Sequence, residues 1–164
     1  MAQAEPVSSD DPAQLDSDAL VAFILERYHQ VHRAELPALI TLARKVEQVH
    51  GDHAECPAGL TRFLEKIDDA LDEHMRKEEE ILFPLMLSNP THPMIRMPIS
   101  VMRAEHEEHL ATLRELFRIT GRLALPEDAC GTWRRLYQGL RKFTDDLGAH
   151  IETENEQLFP RFSR

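Results

Sequence analysis

His74-Met75-Arg76-Lys77-Glu78-Glu79-Glu80-Ile81-Leu82-Phe83-Pro84 returns later in the chain as His150-Ile151-Glu152-Thr153-Glu154-Asn155-Glu156-Gln157-Leu158-Phe159-Pro160. Each copy sets a glutamate four residues after a histidine and closes on Leu-Phe-Pro, so the repeat covers chemistry as well as packing. Residues i and i+4 share one face of an α-helix. An imidazole nitrogen and a carboxylate oxygen at that spacing can converge on one metal ion. Two such helices facing each other can hold two ions, which makes a helical bundle with a metal-bearing interior the expected fold.

Around the first copy, the inward positions read Leu60, Leu64, Ile67, Leu71, His74, Glu78, Ile81 and Leu85, the three-four alternation of bundle helices, with Pro57 at the expected start. Around the second they read Trp133, Leu140, Leu147, His150, Glu154 and Leu158, with Pro126, Glu127 and Asp128 suited to a helix start. Two more stripes complete the pattern. One runs through Leu25, Leu36, Leu39, Ala43 and Val46 from a cap at Asp16 or Ser17 to Gly51, with Pro37 expected to bend it. The other runs through Ile99, Met102, His106, Leu110, Leu113 and Phe117 after the proline-rich connection 89–98. Four helices with mostly short joins predict an all-α, antiparallel up-down-up-down four-helix bundle. An ionised carboxylate in such a core costs several kcal/mol unless paired or metal-bound, so Glu78 and Glu154 call for a cation.

Composition narrows the function further. With 164 residues the chain suits one domain, expected over 17–162 behind a disordered tail at 1–16. The net charge of −10 argues against nucleic acid or an anionic membrane and favours metal cations. Neither a basic, apolar leader nor a membrane-length apolar run is present, which predicts a cytoplasmic protein. Two cysteines, Cys56 and Cys130, are too few for a disulfide scaffold.

Ligands of one centre must lie at one height. At about 1.5 Å per residue, His74 lies roughly 26 Å and His29 roughly 30 Å from the first interhelical turn, whereas His50 and His53 sit at that turn. His29 and His74 are therefore level, His106 and His150 fall within about two helical turns of the same layer, and His50 is excluded. The first stripe admits either His29 or His32 inward. His29 is the expected ligand, with His32 beside the site or lining a channel.

Four histidines and two glutamates suit two iron ions better than closed, thiolate-rich structural zinc. Glu-x-x-His pairs of ferritin type occur here only at Glu26–His29 and Glu47–His50, both in the first helix, which disfavours an iron reservoir. Tyr28-His29-x-x-His32-Arg33, Leu36-Pro37, His74-Met75-x-Lys77-Glu78-Glu79, Ile99-Ser100-Val101-Met102, Glu105-His106, Trp133 and the Leu-Phe-Pro repeats together resemble the hemerythrin-like family. The likeness is greatest to the di-iron domain of the iron-sulfur cluster repair proteins and runs from about residue 17 to 162. That resemblance implies His29, His74, His106 and His150 as terminal ligands, with Glu78 and Glu154 as bridges of an oxo- or hydroxo-bridged di-iron centre. His50 also matches a family histidine, but its height keeps it off the metals.

Two departures shape the functional expectation. Position 110 is Leu where oxygen-carrying relatives resemble a second histidine, which favours reactivity over oxygen storage. The small domain with adjacent cysteines that precedes the di-iron domain in the repair proteins has no counterpart in this sequence. The expected function is binding or reaction with nitric oxide or dioxygen in nitrosative or oxidative stress and in iron-sulfur cluster repair, with damaged iron-sulfur proteins as partners. The alternative is a non-catalytic carrier or sensor of the same gases. Among the remaining residues, Glu79 and Glu80 beside Arg76 and Lys77 read as a solvated face, His109 as solvent-facing or backing the site, and Tyr28 and Trp133 as core or rim packing. His50, His53, Cys56 and Cys130 gather near one bundle end, where a second metal or redox site competes with capping or chance.

Overall fold

In the computed structural model, which describes residues 11–163, Asp16 accepts the Ala19 N–H at 2.8 Å and thereby starts the first helical rod. That rod is α1 (Ser17–Ile24), a π-helical turn Leu25–His29 and α2 (Gln30–His50), which continues through Pro37. The second is α3 (Leu60–Lys77), a π turn Glu78–Leu82 and α4 (Phe83–Ser88). The third is α5 (Arg96–Ile119) alone, and the fourth is α6 (Gly131–Glu152) followed by a π turn Thr153–Leu158. The α2 segment packs on α3 and α6, and α5 packs on the same two, which closes the square of an antiparallel four-helix bundle. The expected tail falls mainly on residues 1–10, outside the described residues; within 11–16, Asp11 caps a short 3-10 turn, Pro12–Gln14.

Two helix starts differ from expectation. Pro57 and Pro126 sit in turns, and the helices begin at Leu60 and Gly131. The start of α3 is capped from another rod: the Glu47 carboxylate accepts the backbone N–H groups of Gly59 and Thr61 and the Thr61 hydroxyl. A cap supplied by tertiary contact leaves no local signal, so proline punctuation marked the turn rather than the first helical residue.

The larger correction concerns register. Ile81, expected inside, is 60 % exposed, and Leu85 is only partly buried, while Leu82 is 1 % exposed and Phe83 and Met86 are buried. The π turn at Glu78–Leu82 adds a residue to the helical repeat, so the inward position after Glu78 falls at i+4 and i+5 instead of i+3. Phe117 is likewise only partly buried, and Leu116 takes the inward place.

The core is divided. One apolar cluster, including Leu39, Ala43, Leu64, Leu71, Trp133 and Leu140, fills one half of the bundle. A smaller one, including Leu20, Ile24, Leu82, Met86, Ile99 and Phe159, fills the other. Between them lies a layer of buried polar side chains: His29, His32, His74, Glu78, His106, His150 and Glu154. Among the described residues, no helix is long and apolar enough to cross a membrane.

Candidate metal centre

Three of the four rods carry a π turn, and each turn includes a residue of the polar layer: His29 ends the first, Glu78 begins the second, and Glu154 lies in the third. A π turn widens the helix and re-aims the side chains that follow. The chain can thus present a histidine and a glutamate inward and still bury the Leu-Phe pair beyond them.

The side chains converge as two groups, His29, His150, Glu78 and Glu154, and His74, His106, Glu78 and Glu154, with the ligand atoms of each group within 4.8 Å of one another. Each glutamate divides its oxygens between the groups. Glu78 Oε2 lies 3.3 Å from His29 Nε2, and Glu78 Oε1 lies 3.2 Å from His74 Nε2. Glu154 Oε1 lies 2.8 Å from His150 Nε2, and Glu154 Oε2 lies 2.9 Å from His106 Nε2. The Nε2 atoms of His74 and His106 face each other at 3.2 Å.

The opposite nitrogen of every ring is held by a different rod. His29 Nδ1 meets Glu79 Oε2 at 3.0 Å, His74 Nδ1 meets Glu105 Oε2 at 2.6 Å, and His106 Nδ1 meets Asn155 Oδ1 at 2.8 Å. His150 Nδ1 meets His32 Nε2 at 3.1 Å. With each Nδ1–H donated outward, the Nε2 lone pairs turn toward the centre, the orientation that metal-ligating histidines require. The acceptors are anchored in turn: Arg33 grips both oxygens of Glu79 at 2.7 and 2.8 Å, and Lys77 donates to Glu105 at 2.7 Å. Around the bundle the support runs one way, from the second rod to the first, the third to the second, the fourth to the third and the first to the fourth.

Electrostatics express the same layout. Burial alone would lower the His29 and His74 pKa values, but the carboxylates outweigh it: Glu154 and Glu78 raise His29 to about 10, and Glu78, with help from Glu154 and Glu105, raises His74 to about 9. Burial, reinforced by His150 and His29, lowers His32 to about 3 and keeps it neutral. Burial would raise the Glu154 carboxyl, yet His150, His106 and His29 hold it well below the usual range.

The donors fit a di-iron group. His29 Nε2, both Glu78 oxygens and Glu154 Oε2 are buried without a hydrogen-bond partner, a cost that a cation between them would remove. Imidazole nitrogen and carboxylate oxygen are the donor types that suit non-haem iron, and no thiol is among them.

All six expected residues, His29, His74, Glu78, His106, His150 and Glu154, meet in this layer. His32 lies beside it on His150, and His50 lies outside it with its Nε2 3.1 Å from Cys130 Sγ. His109 backs the site, its ring edge-on to His74 at a centroid distance of 4.9 Å. Tyr28 stacks on His150 at 5.1 Å, whereas Trp133 packs on His50 and His53. The reading of Glu79 as solvated face is corrected: it carries His29 and is bound by Arg33. Glu105 and Asn155 were missed in the same way. All three sit next to a residue of the polar layer in sequence (Glu78, His106, Glu154) but serve the histidine of a neighbouring rod, and only adjacency hinted at them.

Comparison with known proteins agrees with this architecture. The family described as the hemerythrin HHE cation binding domain matches residues 21–162. The chain is 46 % identical over 162 residues to the iron-sulfur cluster repair protein YtfE of Yersinia pseudotuberculosis strain IP 31758, covering 99 % of this chain and 73 % of that relative. Its identity to the protein of the same name from Yersinia pestis strain Pestoides F is 45 %, over the same shares of each chain.

Proposed function

We propose that this chain, which belongs to the hemerythrin HHE cation binding domain family, is a cytoplasmic di-iron protein that binds or reacts with nitric oxide or dioxygen and serves iron-sulfur cluster repair under nitrosative or oxidative stress. Residues 17–162 are the working unit. His29 and His150 would hold one iron and His74 and His106 the other, with Glu78 and Glu154 shared between them. The observation that carries this reading is the division of each glutamate's oxygens between the two histidine pairs.

Iron with open coordination positions supplies one-electron chemistry and a seat for a diatomic ligand. The chain's own residues provide everything around it. Glu79, Glu105, Asn155 and His32 fix the four rings so that the ligand set is arranged before metal arrives, which limits the reorganisation needed on binding. The two apolar clusters close the layer from both sides and keep bulk water out of it. Leu110 packs against the core one turn beyond His106, so the third rod offers no second imidazole at that place.

The test begins with anaerobic loading by ferrous iron, metal analysis and an optical titration with nitric oxide. A nitric-oxide-damaged iron-sulfur enzyme is then added. Two irons per chain, a nitric oxide adduct and restored enzyme activity are expected. Failure to retain iron overturns the centre. A reversible adduct without restoration rejects repair and selects the carrier or sensor.

A further inference from the structure

The pole of the bundle away from the iron layer holds a thiol and an imidazole that the proposed centre does not use. His50 ends α2, about 31 Å along the rod from His29 at 1.5 Å per residue. Its Nε2 stands 3.1 Å from Cys130 Sγ, a contact between residues brought together only by the fold. Cys130 occupies the place before α6 where serine, threonine or aspartate ordinarily accepts a backbone N–H, and its side chain makes no such bond. The imidazole is held by a third group: fully buried Trp133 packs its ring on His50 at 5.2 Å and meets His53 edge-on at 5.1 Å. His53 is fixed in turn by the Asp128 carboxylate at 3.0 Å. A nucleophile, a base within hydrogen-bond reach and a group orienting that base are the three parts of an activated side-chain nucleophile. Cys130 is only partly buried, at the end of the bundle. At the same pole, burial and the nearby Glu47 charge push the Cys56 thiol up.

We propose that Cys130 and His50 form a nucleophilic thiol-imidazole pair that exchanges with low-molecular-weight disulfides of the glutathione type, making Cys130 a site of reversible S-thiolation. His50 takes the thiol proton as Sγ attacks one sulfur of the disulfide. The Sγ–S bond forms, the S–S bond of the reagent breaks, and the leaving thiolate takes the proton from the imidazolium. One disulfide is consumed and one thiol released, with no other oxidant involved. Exchange of this kind needs access to Sγ and a proton shuttle, and the His50 contact supplies the shuttle.

The experiment uses the full iron-loaded chain and its Cys130→Ser, Cys56→Ser, His50→Gln and His50→Phe variants. Each is reacted at one fixed pH with an aromatic disulfide in stopped flow and with oxidised glutathione followed by intact-mass analysis. One rapid phase and one glutathione adduct are expected, kept in Cys56→Ser and lost in Cys130→Ser. Both His50 variants should slow the rapid phase about tenfold or more. His50→Phe preserves packing on Trp133, and the Cys56 rate in each variant that retains Cys56 reports whether that pole of the fold is intact. Equal rates for the two cysteines, or a His50→Phe rate matching the unaltered chain, overturn the proposal. Iron content and its optical spectrum should be unchanged throughout, so the outcome is independent of the fate of the di-iron reading.

Discussion

Stripping iron from the chain is expected to create a stability loss on the alkaline side that the loaded protein lacks. In the iron-free fold, protons on His29 and His74 stand in for the cations, and the carboxylates hold them there with pKa values of about 10 and about 9. The unfolded imidazole releases its proton near 6.5. Between those values the native state binds more protons than the unfolded one, so stability is fully present below about 6.5 and falls as the pH rises toward 9–10. At about 1.4 kcal/mol per pH unit for each imidazole, the His74 share is roughly 3 kcal/mol and the His29 share roughly 5 kcal/mol. Both lean on Glu78, so the shares overlap, and a total loss of about 3–5 kcal/mol is expected. In the loaded protein Nε2 faces iron and has no proton to give up, and the limb should flatten. Urea unfolding of both forms at pH 6.5, 8 and 9.5 measures the difference. An iron-free midpoint that stays constant across this range, or one that falls equally with iron bound, refutes the reasoning.

The acid side should behave oppositely. His32, lowered to about 3, and His109, lowered to about 4, mainly by burial, are neutral in the fold, so stability drops as the pH falls from about 6.5 toward those values; His32→Gln should shift the iron-free acid midpoint downward in a circular-dichroism titration. Glu78→Ala and Glu154→Ala should each abolish retention of both irons, because each carboxylate serves both histidine pairs. His29→Ala should instead leave one iron held more tightly than the other, as read by metal analysis after graded chelation. Gly139→Ala would place a Cβ 2.5 Å from Leu39 Cδ2, where α6 meets α2, so the tip of Leu39 must turn aside; that cost and the helix-propensity gain of alanine should nearly offset, leaving urea stability within about 1 kcal/mol and iron content preserved.

Periodicity made the bundle and its six inward histidine and glutamate side chains legible, because the residues that build them repeat along each rod's own axis. Two kinds of information lie outside that signal. A π turn changes the period in mid-helix, so Ile81 and Leu82 exchange places although nothing in their identity marks the change. Support between rods is the other: Glu79 beside Arg76 and Lys77 looks like any charged surface until packing sets it against His29 and Arg33. The cap of α3 by Glu47 belongs to the same class, being written on one rod and read on another.

The one-way support around the bundle has a further consequence when the chain is halved at the connection after Ser88. Residues 11–88 contain His29, His32, His74, Glu78 and Glu79; residues 96–163 contain Glu105, His106, His150, Glu154 and Asn155. Each half is a helical hairpin that supplies one imidazole to each His/Glu group, one carboxylate shared by both groups and two ring-holding side chains, and each carries its histidines at nearly the same separation in the chain. The polar layer is therefore assembled from two hairpins that contribute equivalent sets of side chains, so a lesion in either half reaches both His/Glu groups at once.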